Sequence, residues 1–518
     1  MNDLPLRIKL GQRLVAGFPG TVMDEEFIRV VKEYKVGNVI IFQHNIVDDA
    51  QLKTLCAELT TLITRETGFA PFITIDQEGG VVTRLSNAYT NAPGQMAIAA
   101  TGDPQNAYEM GRMTAAQLRD CGVNFNLAPD LDVNCNPDNP VIGVRSFGDD
   151  PDTVARYGVR MIHGLMDGGV YAVVKHFPGH GDTAVDSHVG LPCIDKSFAE
   201  LSQMEFVPFL AGIKAGVPAV MTTHILFPQL EKERLPATMS RAIMTGILRG
   251  RLGFGGLIIS DCMEMEAIAS YYGTVTGVLA ALNAGVDLVF TSHHAAYAAQ
   301  AIERAEQEIA QGKLSLAELD ASVARILHHK RMCAAMQPKD AMPEGEWAPR
   351  AAAVRAGSIT AVRLPAGGIP PLGEDPIFIS CPDYRSTLAS SASSSGFTFA
   401  EEMRKKAGFG AALVTPKDPT DDDIAATLRQ AKGRSAIVLG TYNGHILKGQ
   451  LRQATALAAL GIPMIAVAMR NPYDLADLPG GVAALAAWEY TLPMFDALWP
   501  VISGQRQPTG VLPLKRLR

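Results

Sequence analysis

The sequence predicts an α/β protein in which a (β/α)8 barrel of the TIM type is followed by a smaller α/β/α sandwich domain. Three observations predict it: eight short apolar runs with strand character, polar side chains at the ends of those runs, and a second series of strands and helices beyond a break near residue 340. A chain of 518 residues also exceeds what one hydrophobic core usually organises, which favours two domains.

The eight predicted strands are separated by amphipathic segments, as expected for repeated β/α units. They lie at residues 14–18, 39–42, 72–76, 124–129, 172–176, 219–224, 257–261 and 287–290. A barrel of this type typically takes about 250 residues and tolerates long loop insertions, so the first part of the chain can hold one. A doubly wound open sheet is the alternative.

Polar residues follow several of these strands, which favours the barrel over the open sheet. Asp76, Asp130, Lys175, His224 and Asp261 each stand at or just beyond a strand end. In a (β/α)8 barrel the carboxyl ends of all strands surround one mouth, where enzymes place their catalytic groups. We therefore expect these side chains to converge on a single site.

An amphipathic helix over residues 314–336 ends the first domain, and a proline-containing stretch follows it. We predict a catalytic barrel domain at 1–337, a linker at 338–370 and a sandwich domain at 371–518. Strand candidates at 376–380, 411–415, 435–440 and 463–469 alternate with helical segments at 421–431 and 448–460. That alternation predicts a parallel sheet covered by helices.

The composition predicts a protein that binds neither nucleic acid nor membrane. The net charge is −7, and the 46 lysines and arginines are scattered along the chain rather than clustered. No stretch approaches the roughly twenty apolar residues of a membrane span, and residues 1–9 lack the apolar core of a secretory signal. We therefore expect a cytoplasmic protein, and the sequence leaves its oligomeric state open.

The seven cysteines show no metal-ligand spacing, which predicts reduced thiols with structural roles. Cys262 adjoins a candidate catalytic residue, but no activating base lies near it in sequence, so we expect an inert thiol. A zinc site of histidines at 176, 180 and 188 would need a helix, and Pro178 and Gly179 exclude one there. The sequence thus predicts no metal and no other cofactor.

The densest polar cluster of the chain lies at residues 175–188, directly after an apolar run. It contains three histidines, one lysine and two aspartates. Within it, Asp186 and His188 could act as a proton donor, because an imidazolium with an ordinary pKa of about 6.5 works near neutral pH when a carboxylate orients the ring. The plainer interpretation is a solvated pair on a loop.

A second candidate is Asp261, which the apolar run before it delivers to the predicted barrel mouth. A carboxylate there can attack an anomeric carbon, and with a proton donor it supplies the minimum for glycosyl transfer with retention of configuration. The plainer interpretation is the N-cap of a following helix.

Four blocks of sequence stand in order along the predicted barrel. They are residues 75–80 with Arg84, 145–148, 175–192 and 260–265, and the long block at 175–192 reads KHFPGHGDTAVDSHVGLP. Together they resemble glycoside hydrolase family 3, and specifically its β-N-acetylglucosaminidase branch, since the long block is unlike the family's β-glucosidase branch. Weaker similarity reaches the second domain at 469–474 and 508–513.

The resemblance implies that Asp261 forms a covalent glycosyl intermediate and that His188, paired with Asp186, serves as acid and then as base. It also implies a set of residues that hydrogen-bond the sugar, with the last two less well supported: Asp76, Arg145, Lys175, His176, Arg84 and His224.

Structural roles for three of these residues stay open as alternatives. Lys175 could be an ion-pair partner and His176 a core histidine. Arg145 could anchor the loop 134–139 instead of binding substrate.

We expect a retaining exo-acting β-N-acetylglucosaminidase whose partner is a small glycoside that contains N-acetylglucosamine, taken from chitooligosaccharides or from peptidoglycan fragments. Three alternatives stay open. Phosphate could replace water as the acceptor, because a neutral histidine base repels it less than a carboxylate would. The protein could be a β-glucosidase with Glu489 of the second domain as acid, or a sugar-binding protein without activity.

Overall fold

The structure, a computed structural model, describes residues 4–86, 90–184, 186, 190–339, 342–384, 389–391 and 396–517. Eight parallel strands form a closed barrel in sequence order, as the sequence predicted. In chain order they are β1 Leu14–Ala16, β2 Asn38–Ile41, β3 Ile73–Ile75, β4 Phe125–Asn126, β5 Tyr171–Phe177, β6 Ala219–Thr222, β7 Leu257–Cys262 and β8 Leu288–Thr291. Closure of β8 onto β1 excludes the open sheet.

Helices surround the barrel, and several begin at a side-chain cap such as Asp24, Asp48 or Asp150. No helix in the described part of the chain combines the length and apolarity needed to cross a membrane. The helices are α1 Leu6–Gln12, α2 Glu25–Tyr34, α3 Asp49–Thr67, α4 Gln95–Ala100, α5 Gln105–Asp120, α6 Pro151–Asp167, α7 Phe198–Gln203, α8 Phe206–Lys214, α9 Glu266–Ala269, α10 Thr274–Ala284, α11 Ala295–Ala310, α12 Leu316–Ala335 and α13 Glu344–Ser358, with a π-helix at Ala242–Arg251.

Apolar and aromatic side chains fill the interior of the barrel. The rings of Phe72 and Phe125 are 5.0 Å apart, and those of Phe125 and Tyr171 are 5.7 Å apart. Ile326 and Cys333 of α12 pack against the same cluster. The helix α12 therefore closes the amino-terminal end of the barrel and leaves the carboxyl-terminal end for the site.

The second domain contains a six-stranded sheet with the order β11-β10-β12-β13-β14-β9. Five strands are parallel, and β9 pairs with β14 in the antiparallel sense at one edge. The strands are β9 Thr360–Arg363, β10 Ile377–Ser380, β11 Ala411–Val414, β12 Ile437–Thr441, β13 Met464–Ala468 and β14 Ala483–Ala486. The helices are α14 Phe399–Ala407, α15 Asp421–Ala431, α16 Lys448–Ala458 and α17 Leu492–Ile502.

The segment predicted as a linker, residues 338–370, is instead partly regular. It contains α13 and β9, and α13 contacts α4 and α5 of the barrel as well as α17 of the second domain. Pro349 lies inside α13, where its missing N–H made the segment look like a linker. The strand β14 was missed because its sequence, AALA, has low strand propensity. The predicted domain limits themselves stay predictions.

A buried apolar contact joins the two domains. Met96 and Ala97 of α4 and Val144 of the barrel pack with Trp488 and Leu514 of the second domain. All five side chains are buried. This contact holds the second domain against the loops at the barrel mouth.

Candidate active site

A cavity of about 720 Å³ opens at the carboxyl ends of the barrel strands. Its floor is formed by apolar side chains of the barrel interior, among them Ile40, Leu127, Met221 and Phe290. Six of the predicted site residues line it: Asp76, Arg84, Arg145, Lys175, His176 and Asp261. Of the five strand-end residues that we expected to converge, Asp76, Lys175 and Asp261 thus line one cavity, whereas Asp130 and His224 are not among its described lining residues.

Asp261 stands at the end of β7, and its carboxylate is half-buried at the cavity wall. Its Oδ1 accepts a hydrogen bond from the Cys262 N–H at 2.7 Å. The following helix α9 begins at Glu266 with Met265 as its N-cap, so Asp261 does not cap it. The strand instead presents this carboxylate to the cavity.

His224, which we predicted to bind substrate, contacts the backbone at the end of β7. Its Nε2 lies 2.9 Å from the Cys262 carbonyl oxygen, and its Nδ1 lies 2.9 Å from the Thr238 hydroxyl. The ring is buried and is not among the described side chains that line the cavity. A role in fixing the backbone beside Asp261 fits this position better than contact with a sugar.

Two buried cations share one buried carboxylate at the centre of the site. Arg145 donates to both oxygens of Glu78, with distances of 2.9 and 2.8 Å. The Lys175 ammonium lies 2.6 Å from Glu78 and 2.8 Å from Asp76. Arg145 is thus bound by Glu78 rather than chiefly by the loop 134–139, and Lys175 is an ion-pair partner that also lines the cavity.

Burial and charge oppose each other in this cluster. Burial alone would raise the pKa of Glu78, but the nearby charges of Arg145 and Lys175 outweigh it and hold that pKa well below its usual range. Burial likewise lowers the pKa of Lys175, yet the carboxylates of Asp76 and Glu78 bring the net shift upward. All three central groups are therefore charged at neutral pH.

The buried carboxylate of Asp132 orients the ring of His176. Its Nδ1 lies 2.7 Å from Asp132, and Arg145 lies 3.5 Å from its Nε2. Burial lowers the pKa of His176 to about 4, so the ring is neutral near pH 7. Asp132 also accepts the His180 backbone N–H at 2.6 Å. Burial raises the pKa of Asp132 to about 6, which still leaves it ionised at neutral pH.

Replacing Glu78 with glutamine should destabilise the barrel by about 3–5 kcal/mol, because Arg145 and Lys175 would lose their buried counter-charge. In the unfolded chain the pKa of Glu78 is about 4.3, whereas the folded protein lowers this pKa and keeps the carboxylate charged to lower pH. Its contribution is therefore fully present above that pH and is lost as the pH falls further. Urea unfolding of the wild type and Glu78→Gln at pH 7 and about pH 3, well below the unfolded pKa, measures both effects.

The destabilisation by Glu78→Gln is expected to be largest at pH 7 and to shrink in acid. Glu264→Gln is the matched control, because this second cavity-lining glutamate contacts His294 at the rim rather than the buried cations. Equal losses of stability at both pH values for Glu78→Gln would contradict the charge argument.

Among the described residues, two groups of side chains have ligand atoms close enough to hold a metal ion, although we predicted no metal. They are Asp130 with Asp132 and His176, and Cys135 with Asp182 and Glu205. In both groups a protein cation already stands at the carboxylates. Arg145 lies 3.5 Å from Asp130, and Lys196 bridges Asp182 and Glu205 at 2.7 and 2.5 Å.

The second domain supplies part of the cavity wall through residues 389–391. Arg84 donates to the Ala389 carbonyl at 2.9 Å, so its guanidinium ties the barrel to this segment. The Ser391 hydroxyl accepts the Thr83 N–H at 2.8 Å and donates to the Thr83 carbonyl at 2.5 Å. Arg84, predicted to bind substrate, thus also holds the wall in place.

Of the predicted acid/base pair, the structure describes Asp186 but not His188. Asp186 is buried, and its carbonyl accepts the Gly190 N–H at 3.0 Å, whereas His188 lies outside the described residues. Glu489, the alternative acid of the β-glucosidase hypothesis, is fully buried and binds Arg355 at 2.7 Å. It is not among the described residues that line the cavity, so that alternative loses its proton donor.

Sequence reasoning assigned no role to Glu78 or Asp132, which organise the site. Both stand two residues beyond an acidic residue at a strand end, as in the Asp76, Gln77, Glu78 triplet. That spacing could have pointed to them, because alternate residues of an extended segment face the same side. The wall at residues 389–391 carried no such signal.

This chain is similar in sequence to known enzymes. The family model described as "Glycosyl hydrolase family 3 N terminal domain" matches residues 6–329. Beta-hexosaminidase A of Pseudoalteromonas piscicida is 36% identical over 329 residues, which cover 59% of this chain and 55% of that protein. The chain thus spans about half the length of that curated relative. Beta-hexosaminidase of Thiobacillus denitrificans is 36% identical over 288 residues, which cover 54% of this chain and 78% of that protein.

The fold of both domains also has a solved counterpart. A glycoside hydrolase family 3 beta-N-acetylglucosaminidase from Paenibacillus sp. (strain FPU-7) superimposes with a TM-score of 0.90 at 36% identity, covering 99% of each chain. The match of the family model alone takes in more than half of the present sequence. The chain therefore belongs to glycosyl hydrolase family 3, the family that its sequence blocks predicted.

Proposed function

We propose that this protein is a retaining exo-acting β-N-acetylglucosaminidase. The observation that carries the proposal is the position of Asp261, a carboxylate at a strand end that faces a cavity closed below by the barrel core. A cavity that is closed at its floor admits the end of a sugar chain and not its middle. The names of the similar enzymes, beta-hexosaminidase and beta-N-acetylglucosaminidase, support the choice of sugar.

In the first step, the Asp261 carboxylate attacks the anomeric carbon while an acid protonates the glycosidic oxygen. A carbon–oxygen bond to Asp261 forms, the bond to the leaving group breaks, and the leaving group departs as an alcohol. In the second step the conjugate base takes a proton from water, whose oxygen displaces Asp261 from the same carbon. Two inversions restore the original configuration.

The proposed acid and base is His188, oriented by Asp186 on the same loop. Such a dyad suits this role because the imidazolium donates a proton near neutral pH and the neutral ring can accept one afterwards. The buried histidine His176 fits the role less well, since its pKa is lowered to about 4 and its Nδ1 is engaged by Asp132.

The charged groups around the floor are proposed to bind the sugar hydroxyls. Asp76 is half-buried and shares the Lys175 ammonium with Glu78, so a carboxylate and an ammonium are offered side by side. Arg145 and Glu78 hold each other in a bidentate pair, which keeps the guanidinium fixed before substrate arrives. Such preorganised donors and acceptors fix the depth and orientation of the ring.

Water is the proposed acceptor in the second step. Arg145 and Lys175 are both paired with carboxylates, and Glu264 and Glu266 add further acidic groups to the described lining. Negative charge at the cavity disfavours an incoming phosphate dianion. Chitooligosaccharides and peptidoglycan fragments are the proposed sources of the terminal sugar.

The test is product analysis with an aryl β-N-acetylglucosaminide and the matching β-glucoside, each with and without phosphate. We expect free N-acetylglucosamine from the first substrate alone, with β as the configuration of the first-formed product. Sugar 1-phosphate would replace the hydrolase by a phosphorylase. Cleavage of the glucoside alone would contradict the proposed specificity, and an α product would contradict retention.

A further inference from the structure

We propose that the second domain positions the loop that carries Asp186, through contacts of Tyr473 and His445 with the barrel loop 134–139. The proposal rests on the proposed function, in which that loop supplies the acid and base. It gives the second domain a part in proton transfer beyond its share of the cavity wall.

The loop 134–139 holds the backbone that leads to Asp186. The Asn139 side-chain amide donates to the His180 carbonyl at 2.8 Å and lies 3.2 Å from the Thr183 hydroxyl. The Asn136 N–H also points to the Gly181 carbonyl, at 3.4 Å. These bonds reach the chain within six residues of Asp186.

The same two backbones are in direct contact. A Cβ atom added at Gly181 would lie only 1.7 Å from the Val133 carbonyl oxygen. No side chain fits between them, so a shift of residues 133–139 has to be passed to residue 181. Packed backbones transmit displacement in this way because the interior has little free volume.

The second domain binds the loop 134–139 from its other side. The Asn134 amide donates to the Tyr473 hydroxyl at 2.7 Å, and His445 Nε2 lies 3.2 Å from the Pro137 carbonyl oxygen. The rings of His445 and Tyr473 meet edge to face, with centroids 5.2 Å apart. Two adjacent side chains of the second domain, Tyr473 and His445, therefore both hydrogen-bond to the barrel loop 134–139.

These hydrogen bonds are buried, so breaking one would leave a buried polar group without a partner. Tyr473 and His445 are each less than one tenth exposed. A carbonyl oxygen only accepts, so the Nε2 of His445 carries the proton that it donates to Pro137. Burial lowers the pKa of His445 to about 4, and the neutral ring keeps this single donor at Nε2 near pH 7.

The decisive variant is Tyr473→Phe, which removes one hydroxyl and keeps the ring. We compare kcat/KM on diacetylchitobiose, whose leaving group needs a proton, with kcat/KM on the 4-nitrophenyl glycoside, whose leaving group does not. Displacement of the acid should lower the ratio of the two values about ten-fold. His445→Phe, which keeps a ring without the N–H donor, should change the ratio in the same direction.

Tyr490→Phe is the matched control. Its hydroxyl also makes buried bonds, to Phe399 N–H at 2.8 Å and the Cys381 carbonyl at 3.2 Å, but it lies within the second domain. This variant should leave the ratio as in the wild type. Equal losses on both substrates in Tyr473→Phe would show a merely structural contact and overturn the proposal.

Hydrogen exchange separates this proposal from the proposed function. The backbone amides of residues 179–184 should exchange faster in Tyr473→Phe than in the wild type, and their exchange should be unchanged in Tyr490→Phe. Unchanged exchange in Tyr473→Phe would overturn the positioning role whatever the substrate. A wild type that hydrolyses neither glycoside would instead contradict the proposed function, and the exchange result would still decide whether the second domain holds the loop.

Discussion

Asp261→Ala is expected to lower kcat/KM by about 10⁴-fold or more on every substrate, because removing a nucleophile leaves only binding and charge stabilisation. The loss should be the same for good and poor leaving groups, because Asp261 attacks in the same step in which either leaving group departs. Folding should be little affected. The Asp261 carboxylate is half-buried, and its Oδ1 accepts a hydrogen bond from the N–H of the adjacent Cys262.

Azide provides the positive side of this test. A small anion can enter the space left by the Asp261 side chain and attack the anomeric carbon directly, which forms the α-glycosyl azide by a single inversion. Glu266→Gln is the matched control, because it removes another cavity-lining carboxylate from the next turn of chain. With azide present, Glu266→Gln should still release the free sugar and form no glycosyl azide. Full activity of Asp261→Ala, or azide products from Glu266→Gln alone, would move the nucleophile elsewhere.

The barrel could be predicted because its information is local. Each of the eight strands is a short apolar run, and an acidic or basic residue marks several strand ends, from Asp76 to Asp261. Chain order and strand order coincide in this fold, so knowing the strands is nearly enough to know the barrel. The second sheet is harder to predict, because its edge strand β9 comes from the segment whose prolines predicted a linker.

The interior of the site could not be predicted to the same depth. The pairs Arg145 with Glu78 and His176 with Asp132 join residues 67 and 44 positions apart. Only closure of the barrel brings them together. For His224 the resemblance implied substrate binding, and this stays a prediction; the structure adds that its Nε2 contacts the Cys262 carbonyl oxygen.

In the proposed mechanism, substrate binding and proton transfer use different residues, and the electrostatics of the site give a reason for this division. The buried cluster around Glu78 is held in fixed charge states, with the pKa of Glu78 lowered and that of Lys175 raised. Groups that cannot change protonation near pH 7 are good at orienting hydroxyls and poor at moving protons. This supports the proposal that the acid comes from another element, the loop after β5 that carries Asp186.

His188→Ala is the second large effect, and it should depend on the leaving group. For diacetylchitobiose, whose leaving alcohol needs a proton, kcat/KM should fall by about 10²–10⁴-fold, the usual contribution of general acid catalysis. For the 4-nitrophenyl glycoside the loss should be small, because nitrophenolate leaves unprotonated. Asp186→Asn should follow the same pattern, since an amide no longer stabilises the imidazolium.

A series of aryl glycosides measures this directly. In the wild type, log kcat/KM should vary little with the pKa of the leaving phenol, whereas in His188→Ala it should fall steeply as that pKa rises. His293→Ala is the matched control, a histidine that lines the cavity from the loop after β8. Its dependence on the leaving group should stay that of the wild type, because the proposed acid is retained. A steep dependence in His293→Ala and a shallow one in His188→Ala would transfer the acid role across the barrel mouth.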